Sequence, residues 1–257
     1  MGGAKARFTL DGRVALVTGA GRGLGRSIAI ALADAGAEVW LMARTAAEVE
    51  QAAEGIRAGG GRATAVACDV TDSRAVTRVI EGMPALDVLV NNAGTNFPEP
   101  FVDVSEEHLD RLLNLNVRAA FLVAQAGARR MLAAADRRTR GGAIVNMSSQ
   151  MGHVGAVNRS VYCLTKHAIE GLTKAMAVEL APHGIRVNSL APTFIETPLT
   201  APMFARPDFS KWAHERIPLG RLGTLDEVAA AALFLASPAA SLVTGTSLLV
   251  DGGWTAQ

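Results

Sequence analysis

The feature that most constrains this chain is a succession of short, wholly apolar runs separated by longer segments with helical spacing. Val14-Ala-Leu-Val-Thr18, Val39-Trp-Leu-Met-Ala43, Ala63-Thr-Ala-Val-Ala67, Asp87-Val-Leu-Val-Asn91, Ala143-Ile-Val-Asn-Met147, Ile185 to Leu190 and Thr246-Ser-Leu-Leu-Val250 show little polar/apolar alternation. Strands read this way when helices cover both faces of their sheet. The intervening segments carry apolar residues three and four apart. The plainest runs from about Ser105 to Ala135, through Leu109, Leu112, Leu113, Val117, Ala120, Phe121 and Ala124. Another spans Val161 to Ala181, whereas Thr71 to Pro84 leaves room only for a short helix. Thr45-Ala-Ala-Glu48 and Thr224-Leu-Asp-Glu227 have the form of capping boxes, in which each end satisfies a backbone N–H of the other. This order predicts an α/β fold: a single Rossmann-type doubly wound domain over residues 1–257, with a seven-stranded parallel sheet flanked by helices on both faces.

Composition narrows the classes further. Hydrophobic residues make up 49% of the 257 and charged residues 19%, enough to fill one large core. Twenty-five basic residues against 24 acidic ones give no electrostatic ground for a nucleic-acid or anionic-membrane partner. Cys68 and Cys163 are too few for a disulfide framework or a cysteine-rich metal site. The opening MGGAKARFTLDGR has no apolar core of a secretory leader, and the apolar run Ala229–Ala236 is too short to span a bilayer. The expectation is a soluble cytoplasmic protein.

The first strand runs directly into Thr18-Gly-Ala-Gly-Arg-Gly-Leu-Gly25 and a helix. Gly19, Gly23 and Gly25 permit a tight turn, close approach to a pyrophosphate and tight helix packing, while the helix start offers unpaired N–H groups. At the end of the second strand, an NAD site places a carboxylate for the ribose hydroxyls. Ala43 stands there, followed by Arg44, with Arg22 in the turn; two guanidinium groups suit the 2′-phosphate of NADP, with NAD the alternative. Asp69 ends the third strand, where it can take a hydrogen bond from an adenine amine. Asn91-Asn-Ala-Gly94 ends the fourth beside the path to the nicotinamide.

Tyr162 and Lys166 lie four apart on one predicted helix, hence on one face. Tyr162 is the only tyrosine and Lys166 one of four lysines. An ammonium beside a phenol favours phenolate and lowers its pKa, which makes proton exchange with an alcohol or carbonyl oxygen feasible near neutrality. Ser148 and Ser149 end the fifth strand, where a hydroxyl can hold the same oxygen. The implied chemistry is direct hydride transfer to or from a nicotinamide, without a metal.

On these residues the chain resembles the short-chain dehydrogenase/reductase family. The resemblance spans about Leu10 to Trp254 and rests on TGAGRGLG at 18–25, Asp69-Val70, NNAG at 91–94, Asn116, Ser149 thirteen residues before Tyr162, YCLTK at 162–166 and DGG at 251–253. It implies Tyr162 as general acid/base, Ser149 as the residue orienting the substrate oxygen, and Lys166 as the ribose contact that lowers the tyrosine pKa. Asn116 would bend its helix and hold a water of the proton relay. Gly19, Arg22, Gly23, Leu24, Gly25, Arg44, Asp69, Val70, Asn91, Ala93, Gly94, Tyr162, Lys166, Ile195 and Thr197 would line the dinucleotide. The family also implies a homo-oligomer, commonly a tetramer, formed through the two long helices and the carboxyl-terminal strand and helix. Two departures stand out: Thr193 follows Pro192 where glycine is usual, and the stretch from Asp69 to Asp87 is about two helical turns short.

Between Pro192 and Gly223 a proline-rich stretch follows the sixth strand and reads as a substrate lid over about 193–222. Asn96, Gln150, His153, Asn158 and Cys163, under Phe194, Phe204, Phe209 and Trp212, are expected to line the pocket. A polar strip beneath an aromatic cover fits a sugar acid, ketose or polyol, in the manner of gluconate 5-dehydrogenase-like members. The alternative is a 3-oxoacyl-carrier-protein or acyl-CoA reductase, and from another class a non-catalytic dinucleotide sensor. A carrier-protein reductase needs a basic patch at its entrance. Arg129, Arg130, Arg137, Arg138 and Arg140 cluster in sequence, but read as a solvated helix end far from it.

Overall fold

Every residue of β1 (Val14–Thr18) is buried because its side chains alternate between two helix layers. Ala15 and Val17 join a cluster with Ile28 and Leu32 on one face, while Val14 and Leu16 join Val76, Ile80, Val123 and Met131 on the other. The first layer consists of α1 (Gly23–Asp34), α2 (Ala46–Ala58) and α9 (Leu225–Ala236), the last preceded by α8 (Pro207–Arg216) in the segment after β6. The second is built from α3 (Ser73–Gly82), α5 (Ala120–Leu132) and α7 (Ser160–Leu180). Between them lie β2 (Glu38–Ala43), β3 (Arg62–Ala67), β4 (Val88–Asn91), β5 (Gly142–Met147), β6 (Ile185–Pro192) and β7 (Ser247–Val250). With β1 they form one parallel sheet in the order β3-β2-β1-β4-β5-β6-β7. The expected seven-stranded Rossmann-type arrangement is therefore present, and its order reverses between β1 and β4, where the carboxyl ends of a doubly wound sheet leave a crevice.

The computed structural model describes residues 7–197, 200 and 204–257. Residues 1–6 of the amino-terminal stretch, and positions 198, 199 and 201–203 of the expected lid, lie outside the described residues. Among the described residues no helix is long and apolar enough to cross a membrane.

Three local expectations need correction. The helix expected over Ser105–Ala135 is divided: α4 (Glu106–Leu113) passes into a π-helical segment at Asn114–Ala119 before α5 begins. A π turn widens the helix by one residue, and periodicity alone cannot distinguish that from a continuous α-helix. The capping box at Thr224–Glu227 forms, but Thr45 makes no side-chain cap bond. Glu48 instead turns toward the glycine-rich loop, with Oε1 at 3.7 Å from Arg22 Nη1.

The third correction concerns the arginines after α5. Arg129 and Arg138 are exposed, as on a solvated helix end, but Arg130, Arg137 and Arg140 clamp the amino-terminal edge of the sheet. Asp87 is 2% exposed, just ahead of β4. Its carboxylate accepts hydrogen bonds from Arg137 Nη1 (3.1 Å), Arg140 Nε (2.7 Å) and Nη2 (2.8 Å), and the Val14 N–H (3.0 Å). Arg137, itself buried within the short α6 (Arg137–Arg140), also donates to the carbonyls of Met131, Leu86 and Gly141. Arg130 binds the carbonyls of Met83 and Pro84. A carboxylate so enclosed forces these guanidinium groups inward, because a lone buried charge is more costly than a paired one.

Burial raises the Asp87 pKa, but the bonds from Arg140, Val14 and Arg137 outweigh it and hold the group down at about 2. A lowered carboxylate pKa contributes stability above the unfolded value that is lost as pH falls through the folded one. Acid unfolding monitored by circular dichroism should lose about 2 kcal/mol between roughly pH 4 and pH 2 from this group. Asp87→Asn should flatten that limb and destabilise the protein at pH 7 by about 3–5 kcal/mol in urea, since Arg137 loses its countercharge.

Candidate active site

The crevice is fixed by bonds between the carboxyl ends of β1 and β4. Thr18 Oγ1 accepts the N–H groups of Asn92 (2.9 Å) and Ala93 (3.0 Å), and Asn92 Nδ2 donates back to the carbonyls of Thr18 (2.8 Å) and Gly19 (3.3 Å). Asn91 Nδ2 donates to the Ala120 carbonyl at 2.7 Å, tying the same strand end to α5. Gly25 is demanded by this packing: a Cβ there would lie 2.3 Å from Gly19 O and 2.6 Å from Asn92 Nδ2. Gly23 is demanded by its φ of +56°, and a Cβ at Gly23 would meet open space.

These features fit a dinucleotide pyrophosphate. Arg22 at the N-cap of α1 makes no side-chain cap bond, so the first-turn N–H groups of Gly23, Leu24 and Gly25 have no capping side chain. Arg44 is exposed at the end of β2 and makes no ion pair among the described residues. Glu48 was not foreseen here: a Cβ on Gly21 would lie 3.1 Å from Glu48 Cβ, so this carboxylate shares the loop with Arg22. Asp69 is turned inward, its Oδ1 accepting from Thr71 N (2.9 Å) and Oγ1 (2.8 Å), with Val70 buried behind it.

Ser149, Tyr162 and Lys166 come together at the ends of β5 and the start of α7. Ser149 caps the turn Gln150–Gly152 by accepting the Met151 N–H at 3.2 Å, and its hydroxyl acts on the Tyr162 phenol in favour of the charged form. Lys166 is buried, donates from Nζ to the Met147 carbonyl at 2.7 Å, and lies 5.5 Å from the Tyr162 ring centre. The electrostatics differ from the sequence expectation. Burial pushes the phenol up to about 12, against a lowering by the Ser149 hydrogen bond and by Arg159. Burial likewise pulls Lys166 down to about 8, against the pull of Glu170. Desolvation of both groups therefore outweighs the attraction expected between ammonium and phenolate.

Asn116 sits in the π segment, 2% exposed. Its Oδ1 accepts the Thr95 N–H (2.9 Å), while Nδ2 donates to Thr95 O (2.8 Å) and Thr165 Oγ1 (3.3 Å). It thus joins the loop after Gly94 to α7 one residue from Lys166. A Cβ on Gly94 would lie 3.2 Å from Asn116 Oδ1, which keeps that position small. Ile195 is buried and bridges to Gly223, and Thr197 bonds Thr200 through N–H and Oγ1, each at 3.0 Å.

Of the expected pocket residues, Asn96 and Gln150 keep buried side-chain oxygens without hydrogen-bond partners among the described residues, as do Ser148, Ser160 and Thr193. Asn158 is exposed with φ +60°, and Cys163 Sγ donates to the Val154 carbonyl at 3.7 Å. His153 turns to β7 and α7: Nε2 lies 2.9 Å from Ser247 Oγ and 3.3 Å from Glu170 Oε1. Phe194 makes edge contacts with Phe204, Phe209, Trp212 and Trp254, so the aromatic residues pack mainly on one another. Arg159 escaped the sequence reading: it is the non-helical N-cap of α7, so helical spacing does not relate it to Tyr162.

Comparison with known proteins agrees with this geometry. A family model described as Enoyl-(Acyl carrier protein) reductase matches residues 19–255. The chain is 44% identical to L-xylulose reductase of Bos taurus over 247 residues, covering 96% of this chain and 98% of that one. It is 40% identical to gluconate 5-dehydrogenase of Gluconobacter oxydans over 253 residues, covering 96% of each. A crystal structure of a gluconate 5-dehydrogenase from Burkholderia cenocepacia, in complex with NADP and tartrate, superposes with a TM-score of 0.94 at 38% identity, over 99% of this chain and 100% of that one. The chain belongs to the short-chain dehydrogenase/reductase family of oxidoreductases.

Proposed function

We propose that this enzyme interconverts a secondary alcohol and a ketone, with a preference for NADP(H), on a small polar substrate such as a sugar acid, ketose or polyol. The observation that carries the reading is the meeting of Ser149, Tyr162 and Lys166 at the carboxyl edge of the sheet, beside the β1–β4 crevice. The relatives that act on xylulose and gluconate support the substrate class.

Gly19, Arg22, Gly23, Leu24 and Gly25 would receive the pyrophosphate, Arg44 with Arg22 the 2′-phosphate, and Asp69 with Val70 the adenine. Asn91, Ala93 and Gly94 would border the ribose reached by Lys166, with Ile195 and Thr197 at the carboxamide. When bound, the reduced nicotinamide supplies the hydride that the substrate carbon accepts. Tyr162 gives its phenolic proton to the substrate oxygen, and Ser149 holds that oxygen in line by hydrogen bonding. Lys166 carries positive charge beneath the phenol, which stabilises the phenolate left behind. Asn116 fixes the loop at Thr95 and is the residue we assign to the water of the proton relay. The reverse reaction runs through the same groups, with the phenolate taking the alcohol proton.

Residues 193–222 are assigned as the lid of this single domain, and Asn96, Gln150, His153 and Asn158 as the pocket side chains for substrate hydroxyls. Exposed Phe121, Leu164 and Leu249, on α5, α7 and β7, support a homo-oligomer, commonly a tetramer. Both cysteines are free thiols, which suits the cytoplasm. The carrier-protein alternative is disfavoured because Arg130, Arg137 and Arg140 are spent on Asp87 and on backbone carbonyls at the opposite edge of the sheet.

Tyr162→Phe should fold and bind dinucleotide while losing about 100- to 10,000-fold in kcat, as measured in steady state against a panel of sugar acids and ketoses. Near-wild-type turnover would remove the assignment. Because burial holds the phenol up to about 12, alcohol oxidation needs the scarce phenolate and its initial rate should rise from about pH 7, then flatten above about pH 8 as Lys166 loses the charge that supports the phenolate, while ketone reduction gains nothing. Arg44→Ala should raise KM for NADP about tenfold with less than about a twofold change for NAD; equal effects would refute the preference.

A further inference from the structure

Arg159 is a cation to which the described fold gives no countercharge. It stands at the N-cap of α7, half-buried, and makes no side-chain cap bond. One hydrogen bond is formed, from Nη1 to the Asn158 carbonyl at 3.2 Å, out of the five donors a guanidinium carries. Burial pulls its pKa down, the mark of a charged group partly removed from water. Such a group is stabilised in proteins by a carboxylate or phosphate that fits its fork.

The surroundings offer none. The Asn158 carbonyl also accepts the Glu99 N–H at 3.1 Å, so the segment carrying Glu99 passes the head of α7. The Glu99 carboxylate is nonetheless taken by His108, with Oε1 at 2.7 Å from Nδ1. Arg159 directly precedes the first turn of α7, which carries Tyr162 and Cys163, and the attraction between guanidinium and phenol is felt by both groups. The cation therefore precedes Tyr162 by three residues and acts on its phenol through charge. At the same edge of the sheet, Asn96 Oδ1, Gln150 Oε1, Ser160 Oγ and Thr193 Oγ1 are buried oxygens without partners among the described residues. They come from the loops after β4, β5 and β6 and from the first residue of α7. An acyclic substrate with one carboxylate and several hydroxyls has the groups to satisfy both sets. A neutral ketose or polyol supplies only the second and leaves the guanidinium desolvated and unpaired.

We propose that Arg159 anchors the carboxylate of a sugar-acid substrate, so that among small polyhydroxylated compounds this enzyme selects hydroxy and keto acids over neutral sugars. The inference rests on the proposed oxidoreductase activity and narrows its substrate class.

The test compares 5-ketogluconate with the neutral ketose L-xylulose, using wild type, Arg159→Met and Arg159→Lys, with both dinucleotides. Wild type should favour the acid in kcat/KM. Arg159→Met should lower the acid-to-neutral ratio by about 30-fold or more, mainly through KM for the acid. Loss of the charge that acts on Tyr162 slows both substrates and cancels in that ratio. Arg159→Lys, which keeps the charge but not the fork, should restore part of it. Calorimetry of gluconate binding to the dinucleotide-loaded protein should show the same order, with dinucleotide affinity and Tm unchanged. An unchanged ratio in folded Arg159→Met, or a wild type that prefers the ketose, overturns the carboxylate anchor and leaves the oxidoreductase reading standing. Failure of the wild type to reduce either substrate with either dinucleotide overturns that reading for this substrate class, and the anchor with it.

Discussion

The exchange of hydrogen bonds between Thr18 and Asn92 is the contact on which the site depends. β1 and β4 are neighbours only through the reversal of strand order, so no short connection holds their carboxyl ends together. The Thr18 hydroxyl and the Asn92 amide close that gap with four bonds and set the glycine-rich turn against the loop at Ala93. Neither side chain needs to touch a ligand to be required. They exhaust the polar capacity of the two strand ends and leave the N–H groups of the first turn of α1 turned outward.

Charge is distributed between the two edges of the sheet in opposite ways. At the amino edge, Asp87 is saturated by three arginines and a backbone N–H, an arrangement that holds β1, β4 and the chain before β5 in one place. At the carboxyl edge, the hydrogen bonds of Lys166 and Arg159 among the described residues go to one backbone carbonyl each. The first pattern is closed and structural. The second leaves polar groups desolvated without full partners, the condition under which binding of a complementary molecule gains most.

The strands were legible because doubly covered strands need no polar face, and seven apolar runs in order leave few topologies. The glycine turn and the Tyr162–Lys166 spacing were legible because each is local in sequence. What escaped depended on distant partners. Glu48 has the spacing of a capping residue, yet Arg22 across the loop draws it away from Thr45. Arg137 and Arg140 follow a helix end as solvated residues do, until Asp87, fifty residues earlier, is folded against them. The phenol and ammonium are neighbours as expected, but the direction of their shifts is decided by burial, which no spacing reveals.

The segment between Ile195 and Gly223 has its ends stitched together: the Glu196 N–H donates to Gly223 O at 2.9 Å and the Gly223 N–H to Phe194 O at 3.1 Å. Arg221 and Thr224 both bind Glu227, securing the exit into α9. Between those stitches the segment is also anchored to the chain after β7: the Leu219 N–H donates to Gly252 O at 3.1 Å, and Trp212 meets Trp254 edge-on with ring centres 5.5 Å apart. Added length in its exposed parts costs the fold only in proportion to the logarithm of that length, whereas a change that displaces the buried Ala213 or Ile217 disturbs packing as well. Sequence change is therefore tolerated best between those anchors, where it leaves the sheet and its carboxyl edge as they are.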